Sequence, residues 1–149
     1  MNSKYNRKQS NTIAKKVKIV NMPTTNEKIE QAVTNFVRGG DNRDTILLEK
    51  VLHKDFKFTN TAHLKTSGVT IFDKQKYLAN IESGTFETLP KKITIERIEE
   101  NDTIAMVKLL LESSENYSVS YNSLVLDSDN EWKLTNNLAF VIEKNHKTT

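Results

Sequence analysis

The hydrophobic period of this 149-residue sequence changes after Pro90. Before that residue, most apolar side chains recur at helical spacing, and after it they alternate with polar ones as in strands. Thr24 and Glu27 have the spacing of a capping box, so we predict that the first helix begins there. The apolar stripe of this helix recurs at i, i+3, i+4, i+7 and i+8, at Ile29, Ala32, Val33, Phe36 and Val37.

Two more helices and two short strands are predicted before Pro90. We expect Gly39-Gly40 to end the first helix, because glycine is the usual residue at a helix C-terminus. An extended stretch at 55–64 and a short strand at 69–72 follow the second helix. Aspartates suited to N-capping mark where the second and third helices begin, namely Asp41 or Asp44, and Asp73.

After Pro90 the alternation predicts four longer strands joined by tight turns. Helices therefore come early and an antiparallel meander follows, which indicates the α+β class with three N-terminal helices on a curved, mainly antiparallel sheet. A strongly twisted sheet can curl around the first helix and leave a cone-shaped cavity. In the last strand we expect five residues to share one face, namely Trp132, Leu134, Asn136, Leu138 and Phe140.

The net charge of +3 is unevenly distributed along the chain. Residues 1–20 contain six basic residues and no acid, whereas the remainder holds 16 basic and 19 acidic residues. We therefore divide the chain into a basic, flexible extension at 1–23, one domain at 24–144 and a short tail at 145–149. Because the domain is mildly acidic and arginine is scarce, we expect no nucleic-acid partner.

Location and covalent chemistry are bounded by what the sequence lacks. Lysines interrupt the apolar residues at 13–20, so we expect no secretory signal and a cytoplasmic location. No segment approaches the roughly 18 apolar residues of a membrane span. With no cysteine, the chain has no disulfide, thiolate metal site or cysteine nucleophile. Its histidines lack metal-ligand spacing, so we expect neither a metal site nor a cofactor.

The order of several local strings is similar to that of a known family. A helix ending in Gly-Gly-Asp is followed by LLEKVLHKDFKF, FDKQKYLANI and DNEWKLTNN. This series resembles the nuclear transport factor 2-like superfamily over 26–143, and within it the "Putative lumazine-binding" family, a neighbour of the SnoaL-like and ketosteroid-isomerase-like groups. His53-Lys54-Asp55 stands where relatives often have a His-Pro-Asp-like string, and Trp132-Lys133-Leu134 where they have Trp-Lys-Ile.

The resemblance implies a cystatin-like cone, in which a curved sheet is wrapped by helices around an internal pocket. It also implies frequent homodimers through the outer face of the sheet. It does not imply one chemistry, because the superfamily serves isomerases, dehydratases, cyclases, ligand carriers and interaction modules alike. The function therefore has to be argued from the residues that face the pocket.

Residues for acid–base catalysis are sparse. Such chemistry needs an inward carboxyl or imidazole beside a donor such as tyrosine, and the carboxylates of the domain fall in caps, turns or outward positions. Two histidines are the remaining candidates, His53 near the end of the second helix and His63 at the end of the first strand. We therefore favour a protein without catalytic machinery, and keep a cofactor-free isomerase, dehydratase or cyclase using His53 or His63 with a tyrosine as the alternative.

The aromatic residues favour a binding pocket. One aromatic residue falls on the apolar face of each of four elements, so these rings can converge. They either fill the core or line an apolar pocket for a small planar or aromatic molecule. Polar groups that would orient this ligand are the amides of two asparagines and one tyrosine hydroxyl. The predicted ligand-binding residues are Phe36, Phe58, Asn60, Tyr77, Tyr121, Trp132 and Asn136.

The outer face of the sheet offers a third possible function. Lys108 interrupts the most apolar strand, and we expect it on the outer face with its stem over apolar surface. A bare apolar sheet face is a liability in water, so we expect a homodimer through this face. An interaction module that acts through the sheet thus stays open beside ligand binding and catalysis.

Overall fold

The computed structural model describes residues 22–61 and 68–145. The predicted extension at 1–23 and tail at 145–149 lie outside these residues, except for 22, 23 and 145. Three helices are present, α1 (Thr25–Asp41), α2 (Thr45–Val51) and α3 (Lys74–Ser83). The strands are β1 (Leu52–Asn60), β2 (Thr70–Asp73), β3 (Lys92–Asn101), β4 (Ile104–Glu112), β5 (Asn116–Leu126) and β6 (Trp132–Glu143).

All six strands form one mixed sheet in the order β2-β1-β6-β5-β4-β3. Strands β3 to β6 form the predicted meander, and β1 joins it by pairing in parallel with β6, while β2 pairs antiparallel with β1. The α+β class is therefore confirmed, and the sheet is mainly antiparallel. Two helices precede the sheet in sequence, and α3 lies between β2 and β3.

The helices begin where their capping residues predict. The Thr24 hydroxyl accepts from the Glu27 amide over 3.1 Å, and the Glu27 carboxylate accepts from the Thr24 amide over 2.9 Å, which completes the capping box. Asp44, rather than Asp41, caps α2 by accepting from the Leu47 amide. The apolar stripe of α1 is buried as predicted, against the inner face of the sheet.

Gly39-Gly40 does not end α1, and this expectation was wrong. The helix continues to Asp41, and the Asn42 amide at its C-cap donates to the Arg38 carbonyl over 2.9 Å. A Cβ atom at Gly39 would lie 2.8 Å from Cγ and Cδ2 of Leu48, which is fully buried. Gly39 is therefore required for the close approach of α1 and α2 and not for a turn.

A β-bulge in β6 overturns the predicted face of that strand. Leu134 pairs with Leu124 and Asn136 with Ser123, so Thr135 is an extra residue without a paired position. Because side chains alternate with period two, one extra residue exchanges the two faces beyond it. Trp132 and Leu134 point into the core, but three residues predicted to share their face point outward instead, namely Asn136, Leu138 and Phe140.

Candidate functional site

A cavity of about 230 Å³ lies between α1, α3, the inner face of the sheet and the connection from α3 to β3. We call residues 84–91 of this connection the covering segment. One side of the cavity is aromatic, and the opposite side is formed by small polar residues of β5 and β6. The residues of these two sides include Phe58, Tyr77, Phe86, Ser118, Ser120 and Asn137.

The aromatic wall of the cavity is centred on Tyr77, a buried residue of α3. Its ring centroid lies 4.8 Å from that of Phe58 and 6.0 Å from those of Phe36 and Phe86. The structure thus brings together three of the predicted binding residues, Phe36, Phe58 and Tyr77, and adds Phe86 from the covering segment. These contacts fix the rings as a rigid apolar surface.

The Tyr77 hydroxyl is buried and forms no hydrogen bond with the part of the chain that the structure describes. Burial raises the pKa of Tyr77 well above its ordinary value, and the negative charge of Asp41 raises this pKa further. The hydroxyl therefore keeps its proton near neutral pH and can donate a hydrogen bond to a molecule in the cavity. A buried tyrosine hydroxyl normally has such a partner.

The polar floor of the cavity is made by Ser118 and Ser120 of β5 and Asn137 of β6. Asn137 is 3% exposed and Ser120 is 1% exposed, and both bond to the fully buried Asn122 within one network. Polar side chains at core-facing positions of a sheet are costly unless they are hydrogen-bonded. The floor is therefore a neutral polar surface under the cavity, held in place by the hydrogen bonds among Ser120, Asn122 and Asn137.

Charged groups gather at the rim of the cavity. The Asp41 side chain is only 4% exposed, and its carboxylate lies 2.6 Å from Lys91 Nζ and accepts from the Lys91 amide over 3.1 Å. Arg38 donates to the Lys91 carbonyl over 2.6 Å. These bonds fix the end of the covering segment to the last turn of α1, and they occupy the Asp41 carboxylate.

Two of the predicted ligand-binding residues point away from the cavity. Asn136 is exposed on the outer face because the bulge at Thr135 reverses the alternation of β6. Tyr121 pairs with Leu138 on that same face and is 40% exposed, with Lys108 Nζ 5.7 Å from its ring centroid. Both expectations placed the side chain on the wrong side of the sheet.

The remaining predicted residues lie apart from the cavity or outside the described residues. Trp132 is buried in the core but does not line the cavity. His53 is half-buried at the start of β1, where its Nδ1 accepts from the Asp55 amide over 3.0 Å, and it is not among the lining residues. The backbone of Asn60 lies in β1, whereas its side chain and the whole of His63 lie outside the described residues. Within 22–61 and 68–145, no three His, Asp or Glu residues are grouped so that they could hold a metal ion.

The polar floor is the part of the site that the sequence interpretation missed. Its signal is a period-two run of small polar residues along β5, Asn116, Ser118, Ser120 and Asn122. The intervening residues are Tyr117, Val119 and Tyr121, and this apolar alternation predicts that their face is the one that packs against the helices. Apolar alternation normally marks the inner face of a sheet, and here it marks the outer one.

The outer face of the sheet is correspondingly apolar. Lys108 lies on this face as predicted, with its charge paired to Glu96 over 3.2 Å. Large apolar side chains of β4, β5 and β6 stand around it, each between 38% and 61% exposed. We call these seven residues the outer patch: Met106, Leu110, Tyr117, Tyr121, Leu138, Phe140 and Ile142.

The chain is similar to several solved structures. An NTF-2 like protein of unknown function from Silicibacter pomeroyi has 13% sequence identity and a TM-score of 0.68, with 80% of this chain and 100% of that chain covered. An NTF2-like protein of unknown function from Shewanella baltica has 16% sequence identity and a TM-score of 0.68, with 83% of this chain and 100% of that chain covered. An NTF2-like protein from Cytophaga hutchinsonii has 17% sequence identity and a TM-score of 0.68, with 80% of this chain and 100% of that chain covered. At these identities the likeness establishes the fold alone.

Sequence comparison identifies the family. None of the curated proteins matches the chain significantly. The family model described as "Putative lumazine-binding" matches residues 24–138, which is nearly the whole of the described domain. The chain therefore belongs to the "Putative lumazine-binding" family and has an NTF2-like fold.

Proposed function

We propose that this protein binds a small, planar, partly aromatic molecule in the cavity between the aromatic wall and the polar floor. The observation that carries this proposal is the burial of Ser120 and Asn137 at core-facing positions that line an open volume. In a core without a ligand, apolar side chains are expected at such positions. A ligand site instead combines apolar walls with a few oriented polar groups.

The size of the cavity supports a molecule of one or two rings. Its volume of about 230 Å³ exceeds the roughly 150 Å³ of an apolar cavity that accepts benzene. It is below the roughly 300 Å³ at which pockets for drug-sized ligands begin. The family description names lumazine, a planar two-ring compound, and a ligand of that size suits this volume.

The placement of the histidines favours binding over catalysis. An isomerase, dehydratase or cyclase needs a proton-transferring group within hydrogen-bond reach of the bound molecule. His53 accepts a local backbone hydrogen bond and does not line the cavity. Of the two predicted histidines, the catalytic alternative thus depends on His63, and Glu87 is the carboxyl group among the described lining residues. The test of this alternative is whether replacing His63 or Glu87 changes turnover of a bound substrate.

A thermal-shift screen with lumazine, pterin and flavin tests the binding proposal. A ligand at about 100 times its Kd should raise the melting temperature by roughly 5–10 °C. Ala139→Leu fills the cavity from β6 and should abolish the shift, whereas Asn136→Leu, on the outer face of the same strand, should retain it. No shift with any planar ligand, or a shift that survives Ala139→Leu, contradicts the proposal.

We also propose that the protein forms a homodimer through the outer patch. The seven apolar side chains form a continuous surface over three neighbouring strands, and a patch of this kind is rarely left in water by a monomer. Lys108 is the charged residue nearest its centre and is already paired with Glu96. Lys144, whose Nζ lies 4.7 Å from the Tyr117 ring centroid, is likewise paired with Glu112, so the charges on this face are compensated. Such a face suits a second copy of itself, because in a two-fold dimer each patch covers the other.

Light scattering on a size-exclusion column tests this assembly. The wild type should elute with twice the 17.1 kDa of the chain. Phe140→Asp places a charge in the outer patch and should yield the monomer mass, while Ile46→Asp, at an isolated exposed residue of α2, should leave the dimer intact. A monomeric wild type at micromolar concentration counts against the dimer.

A further inference from the structure

Two buried side chains of the polar floor, Ser120 and Asn137, share hydrogen bonds with each other and with the fully buried Asn122. The Asn137 amide nitrogen donates to Ser120 Oγ over 2.9 Å and to Asn122 Oδ1 over 2.8 Å. The Asn122 amide nitrogen donates to the same Ser120 Oγ over 3.1 Å. These bonds use both amide hydrogens of Asn137 and both lone pairs of Ser120 Oγ.

Two hydrogen-bonding groups of this network are left over. Asn137 Oδ1 is an acceptor and the Ser120 hydroxyl hydrogen is a donor, and neither has a partner among residues 22–61 and 68–145. Both residues line the cavity and both are more than nine-tenths buried. Buried polar groups nearly always have partners, so the cavity is where partners for these two are expected.

The free acceptor and the free donor belong to adjacent side chains. The Asn137 amide nitrogen and Ser120 Oγ are 2.9 Å apart, so the amide group that carries Oδ1 is in direct contact with the Ser120 hydroxyl. Their complement is a molecular edge on which a hydrogen-bond donor stands beside an acceptor. A lactam, a ring that contains an N–H next to a C=O, presents both on one edge.

The charges around the cavity favour a neutral molecule. Two charged residues line the cavity within the described part of the chain, Lys91 and Glu87. Lys91 Nζ already bonds to Asp41 and to the Leu89 carbonyl, and Glu87 is exposed to solvent on the covering segment. The floor itself contains only hydroxyl and amide groups. A carboxylate or phosphate placed there would be a buried charge without a counterion, which is costly.

We propose, on the basis of the binding function above, that the cavity selects neutral lactam rings. The ring C=O accepts a hydrogen bond from the Ser120 hydroxyl, and the ring N–H donates one to Asn137 Oδ1. A face of the ring packs against the aromatic wall of Phe58, Tyr77 and Phe86, while its lactam edge contacts the floor. This assigns ligand selection to two residues of the floor and apolar affinity to the wall.

Three matched two-ring compounds test this selection by calorimetric titration of the full chain. The probe 2-quinolone has the lactam edge, N-methyl-2-quinolone has the donor blocked, and quinoline has the same ring system without the amide. We expect 2-quinolone to bind about tenfold or more tightly than the other two, as the loss of a buried hydrogen bond predicts. Equal affinities would overturn the lactam proposal while leaving the binding function intact.

The other outcomes separate the two proposals. Lumazine, pterin and flavin also carry a ring N–H beside a C=O. If one of them binds and none of the quinoline probes does, a lactam edge is not sufficient for recognition by the floor, and this inference is wrong. If no planar molecule of either set binds, the proposed binding function itself fails. Because the comparison changes the ligand, it does not depend on a variant that could fail to fold.

A serine pair adds a test on the protein side. Ser120→Ala removes the donor, so the affinity for 2-quinolone should fall by about tenfold, to the level of quinoline. Ser114→Ala, at an exposed position in the turn between β4 and β5, should leave the affinity for both probes unchanged. An unchanged preference for 2-quinolone in Ser120→Ala would contradict the assigned role of this hydroxyl.

Discussion

Gly39 and Gly40 stand side by side in the last turn of α1 but have different surroundings. A methyl group at Gly39 would overlap the buried Leu48, whereas at Gly40 the nearest atom is the Tyr77 hydroxyl oxygen at 3.5 Å, an ordinary contact. Both residues are helical, so alanine would also reduce the backbone entropy that folding has to overcome. The same substitution therefore has opposite consequences one residue apart.

We predict that Gly39→Ala lowers the free energy of unfolding by roughly 1–3 kcal/mol, because overpacking against Leu48 outweighs the gain in helix propensity. Gly40→Ala should leave stability unchanged or raise it by up to about 1 kcal/mol. Urea unfolding of both variants beside the wild type measures the difference. Equal destabilisation would mean that the close contact at Gly39 is not what sets its identity.

At the scale of the element, β6 shows where sequence reasoning stops. The alternation of its apolar residues is regular from Trp132 to Phe140, but the extra residue at Thr135 moves Asn137 inward and Asn136 outward. The Thr135 hydroxyl lies 2.8 Å from Ser123 Oγ and donates to the Ser123 carbonyl over 3.2 Å, so contacts with the neighbouring strand stabilise the bulge. Those contacts arise from the pairing of β6 with β5, and the sequence pattern of β6 alone does not reveal them.

The turn between β5 and β6 is held by two aspartates. Hydrogen bonds from the Ser128 amide and from Lys133 lower the pKa of Asp127. For Asp129, the hydrogen bond from Lys133 lowers the pKa most, and the hydrogen bond from the Glu131 amide lowers it further. A carboxyl group whose pKa is lower in the folded state stabilises the fold above its ordinary pKa of 3.8. This stabilisation is lost as the pH falls through the lowered pKa values.

We therefore predict that acid weakens this turn and that Lys133 is responsible for part of the effect. Lys133→Met should flatten the decline of unfolding free energy between about pH 5 and pH 2, since it removes a cause of both lowered pKa values. Lys28→Met, at an exposed position of α1, should keep the wild-type slope. A Lys133→Met slope that matches the wild type would contradict the assignment.

At the scale of the whole molecule, the sheet is polar toward the cavity and apolar toward solvent around β5 and β6. Ser118, Ser120 and Asn137 face the cavity, and Tyr121 and Phe140 belong to the outer patch. This is the reverse of an ordinary sheet that packs on a core. Both proposed interactions, a ligand inside and a second copy outside, follow from this one reversal.

A structural feature can be predicted from the sequence when it depends on neighbouring residues, and not when it depends on packing between distant segments. The N-caps of the helices, the stripe of α1 and the rings of Phe58 and Tyr77 depend on local sequence signals, and the structure places all of them as expected. The polar floor depends on which face of β5 the helices cover, and that is decided by packing between distant segments. Phe86 lies outside any periodic element, so no pattern predicts its place in the aromatic wall.

Intermolecular NOEs test the central claim most directly. With lumazine or 2-quinolone bound to isotope-labelled protein, the ring protons of the ligand should show NOEs to the rings of Phe58, Tyr77 and Phe86. The side-chain amide of Asn137 should shift at the same time, while that of Asn136 should not. NOEs to outer-patch residues such as Phe140 instead, or no binding at all, would contradict the claim that the cavity is a ligand site.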